Sequence, residues 1–246
     1  GMSGDYALEF HPRWTTSDEE ISLSKIEDKA SPSAIESETT GMADALAEPE
    51  WPEFRGPDRS GIYRGAAIAT DWDKNPPKLL WKTPTGPGWS SMAVAGNFLF
   101  TQEQRAQEEK VVCYDAGTGK EIWAGGIESR FEEALGGPGP RATPTIANNQ
   151  IFSMTAEGWL MRLEPNTGEI VWKQDLRKIA DRKPPTWGFS SSPLVVGSSV
   201  IVHAGGKGDK GTLAFDSESG DLKWSTASGD HSYSSPQQAT ISGLDC

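Results

Sequence analysis

Three stretches of this chain end alike: "DAGTGKEIW" at 115–123, "EPNTGEIVW" at 164–172 and "DSESGDLKW" at 216–224. Each has an acidic residue, a Gly four positions later and a Trp four beyond that. The glycines Gly119, Gly168 and Gly220 stand 49 and 52 residues apart. A second signal runs in phase with the first. Ser91-Met92, Thr143-Pro144, Ser192-Pro193 and Ser235-Pro236 open the short stretches "MAVAGNFLF", "PTIANNQIF", "PLVVGSSVIV" and "PQQATISG". Repetition of two features at one period means that the chain is built from a recurring supersecondary unit.

Within each unit a small-residue start leads to one strand, a Gly/Asn/Ser turn, a second strand, a polar loop, a third strand, the acidic-to-Gly turn and a last strand ending in Trp. Alternation in "KVVCYD" and "GTLAFD" supports strands, and no helical period competes with it. Four short strands repeated about every fifty residues predict an all-β fold, a β-propeller of four-stranded antiparallel blades in which each blade buries its faces against its neighbours. A β-sandwich would give no reason for an in-phase repeat. The turn glycines supply the positive φ that other residues resist. Trp123, Trp172 and Trp224 end the outer strands, where a ring burying about 200 Å² can clamp one unit to the next.

The segments "CYDAGTGKEIW", "RLEPNTGEIVW" and "AFDSESGDLKW" resemble the tryptophan-docking repeat of PQQ-like (quinoprotein-type) β-propellers. That family includes quinoprotein alcohol dehydrogenases, the propeller lipoprotein of the outer-membrane assembly machine and sensor domains of some bacterial kinases. "WPEFRGPDRSGI", "GPRATP" and "WGFSSSPLVV" are similar to envelope propellers of planctomycete-type bacteria. The resemblance implies that Trp123, Trp172 and Trp224 dock on the Gly peptide of a neighbouring repeat. Arg162 replaces a small residue of the second repeat, so looser docking is expected there. It also implies a periplasmic or cell-envelope location. The family's dehydrogenases hold pyrroloquinoline quinone (PQQ) between a Trp and a ring of adjacent cysteines, with a carboxylate-bound calcium. Adjacent cysteines are absent and no matching Glu/Asn/Asp set is found. The expectation is therefore a chain without cofactor, with PQQ and calcium as the alternative.

The repeat region, residues 49–246, is read as three whole blades flanked by a lone outer strand, "PPKLLW" at 76–81, and a lone inner strand within "YSSPQQATISGLDC". This predicts an incomplete ring, part of a longer one, whose open edges can self-associate; a compact four-bladed ring is the alternative. Residues 1–48 read as a flexible acidic arm, because residues 1–50 hold twelve of the 35 acidic residues and only three Lys or Arg. A short helix is possible near "SDEEISLSKIEDKA", with Asp18 as cap. The net charge of −12 argues against nucleic acid as a partner. No run of 18 apolar residues predicts a membrane span, and no signal peptide is visible. Cys113 and Cys246 are too few for a disulfide framework or a zinc site.

"GKGDKG" at 206–211 matches a dinucleotide-binding spacing but lies between two strands, which makes it a hairpin loop. His11, His203 and His231 lack metal-ligand spacing, and Asp230-His231-Ser232 are neighbours too close in sequence for a catalytic triad. No catalytic or metal-ligating residue is assigned. The candidate site comes from topology. Residues just before each inner strand converge at the mouth of a propeller channel: Trp89 and Ser90, Arg141 and Thr143, Trp187 and Phe189, His231 and Tyr233. Two readings stand at this point. Either the set binds a protein or small-molecule ligand, or the aromatics plug the channel and Arg141 pairs with a carboxylate. The resulting expectation is a non-catalytic binding or scaffold module of the bacterial envelope. A quinoprotein alcohol or sugar dehydrogenase and the sensor domain of a signalling kinase are the alternatives.

Overall fold

The computed structural model describes residues 16, 18–24, 38–229 and 232–245. Three four-stranded antiparallel sheets carry the repeat, each an up-and-down meander. Blade 1 is β1 (Ala93–Ala95), β2 (Phe98–Arg105), β3 (Glu108–Asp115) and β4 (Glu121–Glu128). A small hairpin follows, β5 (Glu132–Glu133) with β6 (Gly137–Pro138). Blade 2 is β7 (Thr145–Ala147), β8 (Gln150–Met154), β9 (Trp159–Leu163) and β10 (Ile170–Asp175). Blade 3 is β11 (Leu194–Val196), β12 (Ser199–His203), β13 (Thr212–Asp216) and β14 (Leu222–Thr226). A two-stranded piece, β15 (Thr240–Ile241) with β16 (Leu244–Asp245), begins the next unit. The blades form an open arc, with the expected incomplete ring.

The alternation of side chains along a strand makes each seam between blades a core. In blade 2, Ile151, Met161 and Leu163 face blade 1 and join Phe100, Val111, Cys113 and Trp123. Their neighbours Phe152, Met154 and Leu160 face the other way and join Val200, Val202, Leu213 and Phe215 of blade 3. All five residues of β8 are therefore buried. On β14, which no blade covers, Leu222 is 48% and Trp224 42% exposed.

The repeated turn has one geometry. The N–H of Gly119, Gly168 and Gly220 donates to the carbonyl of Asp115, Glu164 and Asp216 respectively, at 2.7, 2.8 and 2.9 Å. Asp115 Oδ1 also accepts from the Thr118 N–H and hydroxyl, both at 2.7 Å, which holds its carboxyl below the usual range. Each glycine has φ near +70° (71°, 72° and 75°), and each lies under an indole from the preceding unit. Trp81, Trp123 and Trp172 donate Nε1–H to the carbonyls of Ala116, Pro165 and Ser217, at 2.9, 2.8 and 3.0 Å. The acceptor is in every case the residue after the acidic one. Arg162 braces the seam between blades 2 and 3 rather than the docking of Trp123 on its own repeat. Its Nη1 donates to both the carbonyl and the carboxylate of Glu218 in the turn that receives Trp172, at 3.1 and 2.8 Å.

Residues 76–81, expected as a lone outer strand, lie in no ladder of the described structure. Their Trp81 nevertheless occupies the clamp position on blade 1, with Thr83 Oγ1–H donating to the Gly119 carbonyl at 2.8 Å. Two helices of defined extent lie, among the described residues, in the stretch that composition assigned to the arm. The first, α1 (Asp18–Leu23), falls where a helix was expected. The second, α2 (Met42–Ala47), buries Met42 and Leu46 in the seam core of blades 1 and 2. Acidic composition hid that i, i+4 apolar pair. Packing onto the blades therefore begins before residue 49, with Met42 and Leu46 of the stretch read as arm. A third helix, α3 (Leu176–Ile179), caps the end of β10, with Asp175 Oδ1 accepting the Arg177 N–H at 3.1 Å.

Candidate binding mouth

The inner strands begin at a row of hydroxyls. The Ser91 N–H donates to Thr143 Oγ1 (3.2 Å), the Thr143 N–H to Ser192 Oγ (2.9 Å) and the Ser192 N–H to Ser235 Oγ (2.9 Å). The in-phase Ser/Thr positions are therefore stitches, each joining one blade to the next. One residue upstream, Ser90 Oγ accepts the Gln102 N–H and Ser191 Oγ accepts the His203 N–H, both at 3.2 Å. The Ser190 hydroxyl donates to the Tyr233 carbonyl at 3.1 Å. These hydroxyls are already hydrogen-bonded within the protein.

The predicted mouth residues divide by exposure. Arg141, Thr143 and Phe189 are interior. The Arg141 guanidinium donates to the carbonyls of Gly139 and Gly137 (3.0 and 2.8 Å), pairs with Glu133 at 3.2 Å and stacks 5.2 Å from the Phe131 ring centroid. Burial pulls its pKa down, and the carboxylates of Glu133 and Glu109 push it back up. Phe189 packs in the core between blades 2 and 3, against Gly158 and under the guanidinium of Arg182. Trp89, Trp187 and Tyr233 are exposed by 67%, 39% and 42%, and Ser90 is partly exposed. Trp89 is fixed nonetheless, since its Nε1–H donates to the Gly136 carbonyl at 2.8 Å and its backbone N–H to Pro140. Gly136 thus gathers Trp89, Glu133 and Arg141 at one loop. His231 lies outside the described residues.

Sequence reasoning missed two parts of this region. The β5–β6 hairpin supplies Phe131 and Glu133; its signal was the Gly/Pro-rich "GGPGP" between an outer and an inner strand. The second is the segment Glu50–Gly61, which crosses the inner strands of all three blades. Trp51 bridges Val94 in both directions, and the Ile146 N–H donates to the Pro52 carbonyl at 2.8 Å. Arg59, 4% exposed, pairs with Glu53 and donates to the carbonyls of Ser192, Pro193 and Pro236. Burial raises the Glu53 pKa against the opposing pull of Arg59. "WPEFRGPDRSG" is therefore a plug laid across the inner strands of the arc. Its Gly56, at φ +83°, lies against the Trp51 ring, where a Cβ would come within 2.8 Å of Cζ3. A recess of about 360 Å³ remains between Arg59, Asp58, Leu194 and Gln237.

One buried carboxylate spans the first seam. Glu109 accepts from Ser129 Oγ at 2.9 Å and from the Ala156 N–H at 2.9 Å. Burial outweighs these hydrogen bonds and pushes its pKa up to about 7.

The sheets, seams and stitched inner strands define a propeller-type repeat protein. A PQQ-like repeat family model, described as outer membrane protein assembly factor BamB, matches residues 66–178 and 107–243, and the chain belongs to that family. It is 28% identical over 126 residues to quinoprotein alcohol dehydrogenase PedH of Pseudomonas putida, a match covering 47% of this chain and 19% of that protein. Quinohemoprotein alcohol dehydrogenase ADH IIB, also of Pseudomonas putida, is 29% identical over 126 residues, 47% of this chain and 17% of that one. The chain thus spans less than a fifth of the length of these two relatives. Quinohemoprotein alcohol dehydrogenase from Comamonas testosteroni superposes with a TM-score of 0.59 at 19% identity, over 78% of this chain and 30% of that chain. At that identity the likeness shows the fold.

The donor set was tested against quinone and calcium. Among the described residues no group of three or more His, Cys, Asp or Glu is placed to hold a metal ion. Cys113 is buried in the first seam with no adjoining cysteine. Arg141, the mouth's cation, is taken up by Glu133 and two carbonyls. These residues do not fit a quinone–calcium pocket. No helix among them is long and apolar enough to cross a membrane.

Proposed function

We propose that this chain is a non-catalytic binding or scaffold module of the bacterial envelope that engages a partner at the mouth face. The reading rests on one observation: Trp89, Trp187 and Tyr233 stand exposed above a belt of hydroxyls whose hydrogen bonds are spent inside the protein. Exposed aromatics on a rigid, internally satisfied base are the usual composition of an interface core, whereas catalysis requires polar groups free to act. The family description as an outer-membrane assembly factor supports a protein partner and a periplasmic or envelope location. Trp224 and Leu222, exposed on β14, extend the proposal to self-association through that face.

The test is chemical cross-linking in an envelope extract with the chain and its Trp89→Ala/Trp187→Ala double variant. The reading expects a discrete adduct that the variant loses while keeping its melting temperature. Loss of stability with an unchanged adduct pattern would assign the aromatics to a channel plug and overturn it. A quinoprotein dehydrogenase fragment is the second reading, favoured by the identity to PedH. It requires a rise in melting temperature on adding PQQ with calcium, and no rise is expected.

A further inference from the structure

We propose that Arg130, at the edge of the cleft between the first two blades, is a docking point for acidic peptide segments, which the chain's own arm occupies through Glu19. Arg130, in the connection after β4, donates from Nη1 to Glu19 Oε1 at 2.9 Å and from Nη2 to Glu19 Oε2 at 3.0 Å. The two residues are 111 apart in sequence, and no strand or helix shared between them forces the contact. The pairing is fork-to-fork, the geometry by which arginine recognises a carboxylate as a shape as well as a charge. Both side chains are largely shielded, at 26% and 16% exposure.

The arginine is set in place by the blade itself. Its Nη1 donates to the Ala106 carbonyl at 2.8 Å and its Nη2 to Glu132 at 3.0 Å. The guanidinium is therefore pre-oriented whether or not Glu19 is present, which lowers the ordering cost of binding a carboxylate. Beside it lies a cleft of about 430 Å³ lined by Gln107, Glu128, Arg130, Glu157, Trp159 and Arg177. Its aromatic wall is Trp159, whose ring carries Arg177 at 5.3 Å and Lys173 at 5.4 Å. Arg177 is itself held by Asp175 and Glu157 (2.9 and 3.1 Å), so the Arg130 fork is the carboxylate-binding group and the Trp159 ring supplies a contact for an occasional apolar residue of an acidic segment. "TSDEEISLS" at 16–24 is such a segment, and its Ile21 remains 40% exposed on α1.

A covalently attached competitor presents itself at an effective concentration on the order of mM, enough to hold a weak site closed against dilute ligands. A partner carrying a better acidic segment would displace α1 and release the arm. This site is separate from the mouth aromatics and stands whether or not they bind a partner.

The experiment uses the whole chain and a fluorescein-labelled peptide of sequence TSDEEISLS, followed by fluorescence anisotropy at low and moderate salt. Glu19→Gln vacates the site while leaving the fork of Arg130 in place. The peptide is expected to bind the Glu19→Gln chain at least about tenfold more tightly than the unchanged chain, and more weakly as salt rises. Adding Arg130→Gln to that variant should remove at least about tenfold of the gain, with circular dichroism confirming an intact fold. Peptide binding no tighter to Glu19→Gln than to the unchanged chain, including no measurable binding to either, overturns the proposal. So does a gain that survives Arg130→Gln.

Discussion

Replacing Gly168 with Ala tests whether the repeated turn is a backbone requirement, an inter-blade fitting, or both. The residue sits at φ +72°, and a Cβ there would lie 2.4 Å from Cε3 of Trp123. The conformational part costs about 1–2 kcal/mol, the penalty of placing an L-residue in the left-handed region. The contact part follows from Trp123, which is 3% exposed and hydrogen-bonded to the Pro165 carbonyl. Its ring must shift by more than an ångström, forfeiting a hydrogen bond of about 1 kcal/mol and some of the packing in the first seam. Together the loss should be about 3–4 kcal/mol, or roughly 10 °C in melting temperature for a body of this size. Gly197 provides the control, with φ +58° and open space around its missing Cβ. Gly197→Ala should cost the conformational part alone, about 1–2 kcal/mol. Both are read from urea and thermal unfolding followed by circular dichroism. Trp123→Leu in the Gly168→Ala background should be markedly less damaging than the sum of the two single changes. Equal losses for Gly168→Ala and Gly197→Ala, or strict additivity with Trp123→Leu, would refute the clamp.

Three further outcomes follow from buried groups. Glu109 is pushed up to about 7 from 4.5, so the folded state holds a proton that the unfolded chain has released, and stability falls as pH rises from about 4.5 through 7. A difference of about 2.5 in pKa corresponds to about 3 kcal/mol; Glu109→Gln should gain on the unchanged chain by a good part of that between pH 5 and 8, in urea midpoints taken at each pH. A constant offset would show that Glu109 is ionised throughout. Arg59→Met leaves Glu53 buried without its cation and three carbonyls short of a donor, a loss of about 3–5 kcal/mol. Adding Glu53→Gln should recover part of it; no recovery would mean that the carbonyls, not the ion pair, carry the cost. Cys113 is fully buried, and burial holds its thiol pKa well above the usual value. Mass spectrometry should find it unlabelled by a thiol reagent in the native protein and labelled after unfolding.

The architecture was legible because blades repeat and the repeat leaves two separate marks, an acidic-to-Gly turn and a Ser/Thr start. Their period predicts the four-stranded sheets, while the docking of each Trp on a neighbouring Gly came only as what the family resemblance implies. The mouth was less legible. Trp89, Trp187 and Tyr233 lie ahead of inner strands, but whether a residue there points outward or inward depends on loops that the repeat does not fix. Arg141 turns inward because the β5–β6 hairpin brings Phe131 and Glu133 to it, and Phe189 because Gly158 leaves room for its ring. Thr143 reads as a ligand contact by type and is a stitch by position. The plug was unreadable for the same reason. Nothing local in "WPEFRGPDRSG" announces that Arg59 will meet carbonyls more than 130 residues away. Helix α2 shows the reverse failure, where a strong compositional signal masked two apolar side chains at helical spacing.

The row of stitches from Ser91 to Ser235 also bears on how such a chain can change length. Every link joins the residue just ahead of one inner strand to its counterpart in the next unit, and every clamp joins one turn to the Trp of the unit before it. Adding or removing a whole unit between two such points reproduces each link with a new neighbour of the same type. Inside a unit the hairpin between second and third strands already varies, from 106–107 to 155–158 to 204–211, with the stitches and clamps kept, whereas a change inside the acidic-to-Gly turn would move the glycine from under its Trp. Whole units can therefore be added without breaking a link, and the segments whose length varies, the β12–β13 loop and the β5–β6 hairpin, are those that carry neither a stitch nor a clamp.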